Sequence, residues 1–282
     1  MLNIKYNYDI SNVSYIKVGG KVKLYIETDE LECIKKILKV NKRIKYIGNT
    51  SNIFFSFYYC DYIFIKYINK SVIIDKYLEI GSSVSIKYLS SYLANKGISG
   101  FEKLEGIPCT LGGGIRNNIS CFNQCISTNL LEIVVLNEFG KIITLKKEEI
   151  VFLYHQTILK YKNILIIKAK FSIVFQDKNI LLENKKKVEL LRRQTQPHNK
   201  LTLGSTFKYY SNIKIPFLIE QLNLKGKKRG NSMISNIHSN FVEVTPKEKF
   251  ENIISLIEET NRLLYNKLGY YIDLEIEKIR GN

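Results

Sequence analysis

Apolar residues recur along the chain in two rhythms. In "VKLYIE" (22–27), "RIKYIG" (43–48), "YIFIKYI" (62–68) and "YLEIG" (77–81) they come in short β-rich runs, each of which reads as a strand. In "DELECIKKILKV" (29–40) the period becomes helical. Leu31, Ile34, Ile37 and Leu38 share one face, and Asp29 with Glu32 forms a capping-box start. "SIKYLSSYLANKG" (85–97) predicts a helix closed by Gly97. "LLEIVVLNEFGKIITL" (130–145) predicts a hairpin, "NILIIKAKFSIVF" (163–175) a long strand, and the stretch from about 178 to 194 a polar helix ending near Pro197. The clearest helix is "TPKEKFENIISLIEETNRLLYNKLG" (245–269). Thr245 is its expected N-cap, Pro246 its first residue and Glu248 the box partner, with Phe250, Ile253, Ile254, Ile257, Leu264 and Leu268 as the buried stripe. "YYIDLEIE" (270–277) predicts a last strand that puts Asp273, Glu275 and Glu277 on one face.

This pattern predicts an α+β protein in two parts, with the best boundary near Pro197. It carries no glycine fingerprint of a doubly wound dinucleotide fold. The length, 282 residues, fits two ordinary domains, and 45% hydrophobic content is enough for a real core. The net charge of +17 has two readings: a footprint for nucleic acid or another polyanion, or compositional drift with solvated basic faces. The densest basic runs, "LENKKKVELLRRQ" (182–194) and "LKGKKRG" (224–230), include one with helical spacing and interleaved Glu. Five cysteines lack CxxC pairing, no signal peptide opens the chain and no window is apolar enough to span a membrane, so a cytoplasmic protein with reduced thiols is expected. Three scattered histidines give no metal-ligand spacing.

Four windows stand out chemically. "GIPCTLGGGIRNN" (106–118) concentrates glycine, which bares backbone for a tight turn or for a flat or anionic ligand. "IGNTSN" (47–52) follows a strand and offers neutral hydrogen-bonding groups, suited to a pyrophosphate or to an ordinary turn. "TLGSTFKYY" (202–210) sets Ser205 after a glycine with Lys208 close behind, and "IDLEIEKIRG" (272–281) holds the acidic alternation.

Together with "SYIKVGGKVKLYIE" (14–27) and "GNSMISNIHSNFV" (230–242), these windows, in this order, resemble the MurB family, the flavin-dependent UDP-N-acetylenolpyruvoylglucosamine reductases. The resemblance covers about residues 14 to 281. It implies a two-lobed FAD-binding domain of the vanillyl-alcohol-oxidase (PCMH) type over 1–178, its lobes split near 70–76, and a smaller α+β substrate domain over 179–282. The chain is similar to the compact, type II-like class.

By the same resemblance, FAD lies against Gly106, Gly112, Gly113, Gly114 and Asn118, and Gly48, Asn49, Thr50, Ser51 and Asn52 hold its pyrophosphate. Ser205 is implied as proton donor and Glu277 as the glutamate that polarises the substrate, with Glu275 the fallback. Tyr154, Lys208, His238 and Asn240 are implied to bind a UDP-sugar, with NADPH as co-substrate. The chain departs from the family pattern at four places, one of them Cys109, which follows Pro108 where the family has glycine. His155 of "YHQT" stands at the usual arginine, as a weaker substitute or a sign of reduced activity. "ISCFNQ" (119–124) replaces small residues, and Tyr209 replaces an asparagine. The implied protein is a monomer without nucleic-acid or membrane partners. Another FAD oxidoreductase of this fold, a catalytically impaired relative and a non-catalytic basic protein are the competing readings.

Overall fold

The computed structural model describes residues 1–209 and 213–281. The chain folds as two compact units, each assembled from separated segments. The first holds Met1–Tyr6, Leu24–Asn49 and Tyr62–Leu191; the second holds Asn7–Lys23, Thr50–Asp61 and the chain from Arg192 onward.

The first unit contains two sheets. One has the strand order Leu2–Asp9, Lys21–Thr28, Tyr59–Tyr67, Ile44–Tyr46. Helix α1 (Leu31–Val40) covers it: Ile34 and Leu38 pack with Ile26, Ile44, Ile63 and Ile65, as the helical stripe requires. The second is a five-stranded antiparallel sheet in the order Ile142–Lys146, Leu130–Leu136, Leu165–Phe171, Leu78–Gly81, Val72–Ile74. Helices α2 (Ile86–Asn95) and α3 (Leu111–Arg116) bury Leu89, Leu93, Leu111 and Ile115 in its core. Helix α4 (Lys178–Thr195) is largely polar, with Leu181 and Val188 its buried residues. Its Lys185 pairs with the buried Glu105 at 3.5 Å.

In the second unit, an antiparallel sheet runs Leu201–Ser205, Phe241–Val244, Ser232–Ile234, Lys228–Arg229. A parallel pair joins Ile53–Ser56 to Glu277–Arg280 and so brings an early segment beside the C-terminal one. Helices α5 (Ile215–Gln221) and α6 (Phe250–Leu268) close the core, where Ile253, Leu256, Ile257 and Leu264 meet Leu203, Phe207, Ile234 and Val242.

The mixed helix and strand content is the α+β class the pattern predicted. Element ends differ. Helix α6 starts at Phe250 with Lys249 as N-cap, four residues after Pro246. Glu248 instead accepts bonds from the Asn231 and Lys249 amides and from Asn252 Nδ2 at 2.8 Å, and those bonds turn the chain ahead of the helix. Asp29 makes no cap for α1, because the N-terminal ammonium takes its carboxylate. The expected strand over 270–277 is regular only from Glu277, so the three acids do not share a strand face.

Candidate functional site

In the first unit the three adjacent glycines of the window lie in helix α3 rather than in an open loop. Thr110 caps α3, its Oγ1 accepting from the Gly113 amide at 3.4 Å, and the Gly112 amide donates to Ser82 O at 2.8 Å. The three glycines have different surroundings. A Cβ on Gly112 would lie 3.1 Å from Ser82 Cβ, and one on Gly114 would lie 3.0 and 3.1 Å from the Ile119 and Ile126 methyls. The protein's own side chains therefore press on these two. Gly113 is open, with nothing nearer than Thr110 Oγ1 at 3.4 Å. Gly106 has a left-handed φ of 78°, the turn that leads into Pro108.

The strand Ile44–Tyr46 delivers Gly48 to the same place. A Cβ there would strike Thr110 Oγ1 at 2.5 Å, so the two glycine motifs lie side by side. Asn49 is exposed. Tyr46, which sequence reasoning did not single out, has a buried hydroxyl without a hydrogen-bond partner among the described residues. Burial pushes its pKa up to about 12, so it stays a neutral donor. An orphaned donor and an open glycine fit a ligand rich in acceptors. A tyrosine in a β-rich run reads as core, so the sequence held no signal for it.

Asn118 is 7% exposed, and its side chain is engaged: Nδ2 donates to Leu153 O at 2.8 Å and Oδ1 accepts from Cys125 Sγ at 2.9 Å. Tyr154 and His155 form the two-residue turn between Phe152–Leu153 and Gln156–Thr157. Tyr154 is 65% exposed, and its ring leans on that of His155 with centroids 4.2 Å apart. His155 Nε2 lies 2.9 Å from Ser120 Oγ. Arg116, at the C-terminal end of α3, has its guanidinium on the carbonyls of Leu159 and Lys160 at 3.0 and 2.9 Å.

The second unit gathers the acid candidates. Gly204, at φ 70°, and a bulge between Thr202 and Ser205 end the strand at Ser205. The chain then runs beside residues 273–275: the Lys208 amide donates to Asp273 O and the Glu275 amide to Thr206 O, both at 2.9 Å. Asn52 stitches the next step, Nδ2 donating to Glu275 O at 3.3 Å and its carbonyl accepting from the Glu277 amide at 2.9 Å. Ser205, Asn52, Glu275 and Glu277 thus belong to one hydrogen-bonded lattice. Thr50 Oγ1 is internal, donating to Val13 O at 3.1 Å and accepting from the Tyr15 amide at 2.8 Å, while Ser51 is half-exposed. Lys208 pairs with Asp273 at 3.5 Å. Tyr210, the last residue of that sequence window, lies outside the described residues.

Asn240 is 1% exposed and bonds both ways to Phe207, Oδ1 accepting from its amide at 3.0 Å and Nδ2 donating to its carbonyl at 2.9 Å. Its side chain clamps the Ser205 segment instead of facing outward. His238 Nδ1 accepts from the Asn240 amide at 3.3 Å, which places any proton of the neutral ring on Nε2. Burial holds its pKa below the usual histidine value. Among the described residues no group of three or more His, Cys, Asp or Glu could hold a metal ion, and no helix is long and apolar enough to cross a membrane.

Residues 196–279 match the family model of the UDP-N-acetylenolpyruvoylglucosamine reductase C-terminal domain, and residues 23–146 match that of an FAD binding domain. A UDP-N-acetylenolpyruvoylglucosamine reductase of Fusobacterium nucleatum is 32% identical, covering 97% of this chain and 98% of its own. One of Pelagibacter ubique is 30% identical, covering 98% and 95%. The crystal structure of the reductase from Thermus caldophilus superposes with a TM-score of 0.85 at 22% identity, covering 99% of this chain and 98% of that one. That superposition shows the shared fold.

Proposed function

The chain belongs to the UDP-N-acetylenolpyruvoylglucosamine reductase family, and from that premise we propose that it reduces UDP-N-acetylglucosamine enolpyruvate to UDP-N-acetylmuramate with NADPH, for peptidoglycan precursor synthesis. FAD, when bound, supplies the hydride relay from NADPH to the enolpyruvyl methylene carbon. Gly113, Gly48, Asn49 and Tyr46 fit such a cofactor, and the family motif adds Thr50, Ser51 and Asn52 as proposed pyrophosphate contacts. Gly106, Gly112, Gly114, Thr50 and Asn118 shape that backbone.

Ser205 is the proposed proton donor to the carbon beside the substrate carboxylate. A serine hydroxyl is a weak acid, so it must be held at the carbon as negative charge develops there. Holding it is the work of Asn240 through Phe207. Glu277 is proposed to bind and polarise the substrate near its carboxylate, with Glu275 beside it. Tyr154, His155, Lys208 and His238 are the proposed substrate contacts, Lys208 as a point charge for the diphosphate. The observation that carries the reading is the lattice joining the Ser205 strand, Asn52 and Glu277.

The same reading gives a cytoplasmic monomer acting on a UDP-sugar, without nucleic acid as partner, with residues 1–178 serving the cofactor, apart from Tyr154 and His155, and 179–282 the substrate. Purified protein tests it. It should be yellow with flavin absorption and should oxidise NADPH only when UDP-N-acetylglucosamine enolpyruvate is added. Colourless protein, or NADPH oxidation indifferent to that substrate, refutes the reading.

A further inference from the structure

Two departures from the family pattern, the segment "ISCFNQ" and His155, meet in space. Ser120–Cys121 pairs with Gln124–Cys125, and Phe122 and Asn123 make the turn at φ 48° and 63°. Positive φ at both turn positions gives the type I′ twist, which suits a two-residue hairpin. His155, at φ 51°, sits in the turn of the neighbouring hairpin. Ser120 Oγ and His155 Nε2 are 2.9 Å apart, and the pair is partly buried.

Hydrogen bonds brace the hairpin that carries Ser120 at several points. Gln124 donates to Glu102 Oε1 and accepts from the Lys103 amide, both at 2.8 Å. Glu102 is 3% exposed, and its other oxygen accepts from the Gly100 and Phe101 amides at 2.8 and 3.1 Å. Asn118 ties the hairpin to Leu153, on the strand leading into the Tyr154–His155 turn, and Thr157 Oγ1 ties the far strand to Arg116 O at 2.7 Å. A hydroxyl on such a frame has little freedom, and it serves either ring tautomer because it both donates and accepts.

We propose that Ser120 is the positioning residue for His155, fixing the orientation of the imidazole that this chain presents to substrate where the family pattern has arginine. The imidazole of His155 also has the Tyr154 ring leaning on it, but it lacks the planar fork with which an arginine is pre-organised for a carboxylate. Ser120 supplies the fixed direction that the shorter side chain lacks. The inference rests on reading His155 as a substrate contact.

The test uses the FAD-loaded protein with 15N-labelled histidine. The chain has three histidines, and His155→Ala assigns the His155 ring signals. In Ser120→Ala, the His155 ring signals should shift and broaden while those of His198 and His238 stay in place, which also shows the fold intact. Turnover with UDP-N-acetylglucosamine enolpyruvate should lose about tenfold in kcat/KM in His155→Ala and about threefold in Ser120→Ala. The double variant should match His155→Ala, since coupled residues are non-additive. Ser120→Thr, which keeps the hydroxyl, should restore the ring signals and most of the turnover. Unmoved His155 signals in Ser120→Ala, or a full extra loss in the double variant, overturn the proposal. An unchanged kcat/KM in His155→Ala refutes the substrate-contact reading itself, whatever the ring signals do.

Discussion

Asn240→Ala should damage both stability and proton delivery. The side chain makes two hydrogen bonds to the main chain of Phe207, itself 2% exposed. Alanine leaves a buried N–H and a buried C=O without partners, at about 1–3 kcal/mol each. The expected loss is therefore about 2–6 kcal/mol, read from the urea midpoint and slope. The loosened segment carries Ser205, and a displacement of about 1 Å at a reacting group costs up to about a hundredfold in rate. NADPH oxidation at saturating substrate should show it as a fall in kcat. Asn240→Asp sharpens the test: it keeps the acceptor for the Phe207 amide but sets an oxygen against the Phe207 carbonyl, so it should be no better than alanine. If Asn240→Ala lies within about 0.5 kcal/mol of the parent, the range of ordinary surface changes, the clamp is not holding the segment.

Gly113→Ala should have opposite effects on fold and cofactor. It raises the apoprotein melting temperature, since alanine outdoes glycine in a helix by up to about 1 kcal/mol and the position is open. It also weakens FAD binding in a fluorescence titration, and undiminished affinity would remove Gly113 from the cofactor surface. Gly20→Ala should destabilise severely, because its Cβ would sit 2.2 and 2.3 Å from the carbonyl oxygens of Phe57 and Tyr58, which are main chain and cannot swing away. A normal urea midpoint would contradict that packing. His238, held neutral by burial, binds its proton more readily in the unfolded chain. Its contribution is thus whole above about pH 6.5 and fades as pH falls through its lower folded-state value. Urea midpoints between pH 7 and pH 5 should fall less steeply in His238→Gln than in the parent; parallel slopes would refute this.

The α+β character and the stripes of α1 and α6 were legible because burial follows the helical period, a purely local signal. The caps were misread because capping is a competition. Asp29 and Glu248 have sequence positions suited to helix starts, yet Asp29 meets the terminal ammonium and Glu248 accepts the Asn231 amide. Both partners arrive from elsewhere in the chain, so a window of a dozen residues does not contain them. The same limit hides the hairpins at Ser120–Cys125 and Phe152–Thr157, each only two residues a side. It also hides the second unit's use of Asn7–Lys23 and Thr50–Asp61 beside the C-terminal third.

The candidate site shows a sharper version of this limit. Polar residues in the motif windows pointed to ligand contact because Asn, Ser and Thr have groups to offer. The structure divides them. Thr50, Asn118 and Asn240 turn inward and satisfy main-chain groups of their own unit, while Asn49 is exposed and Ser51 half-exposed. The glycines divide likewise: Gly112 and Gly114 make room for Ser82, Ile119 and Ile126, and Gly113 alone of the three is open. A motif of this kind specifies a backbone shape first. Buried donors and acceptors must be paired, so the inward residues fix where the chain turns, and that turn decides which few groups face a ligand. Sequence spacing finds the motif as a whole; only the direction of each side chain separates the residues that hold the loop from those that meet the substrate.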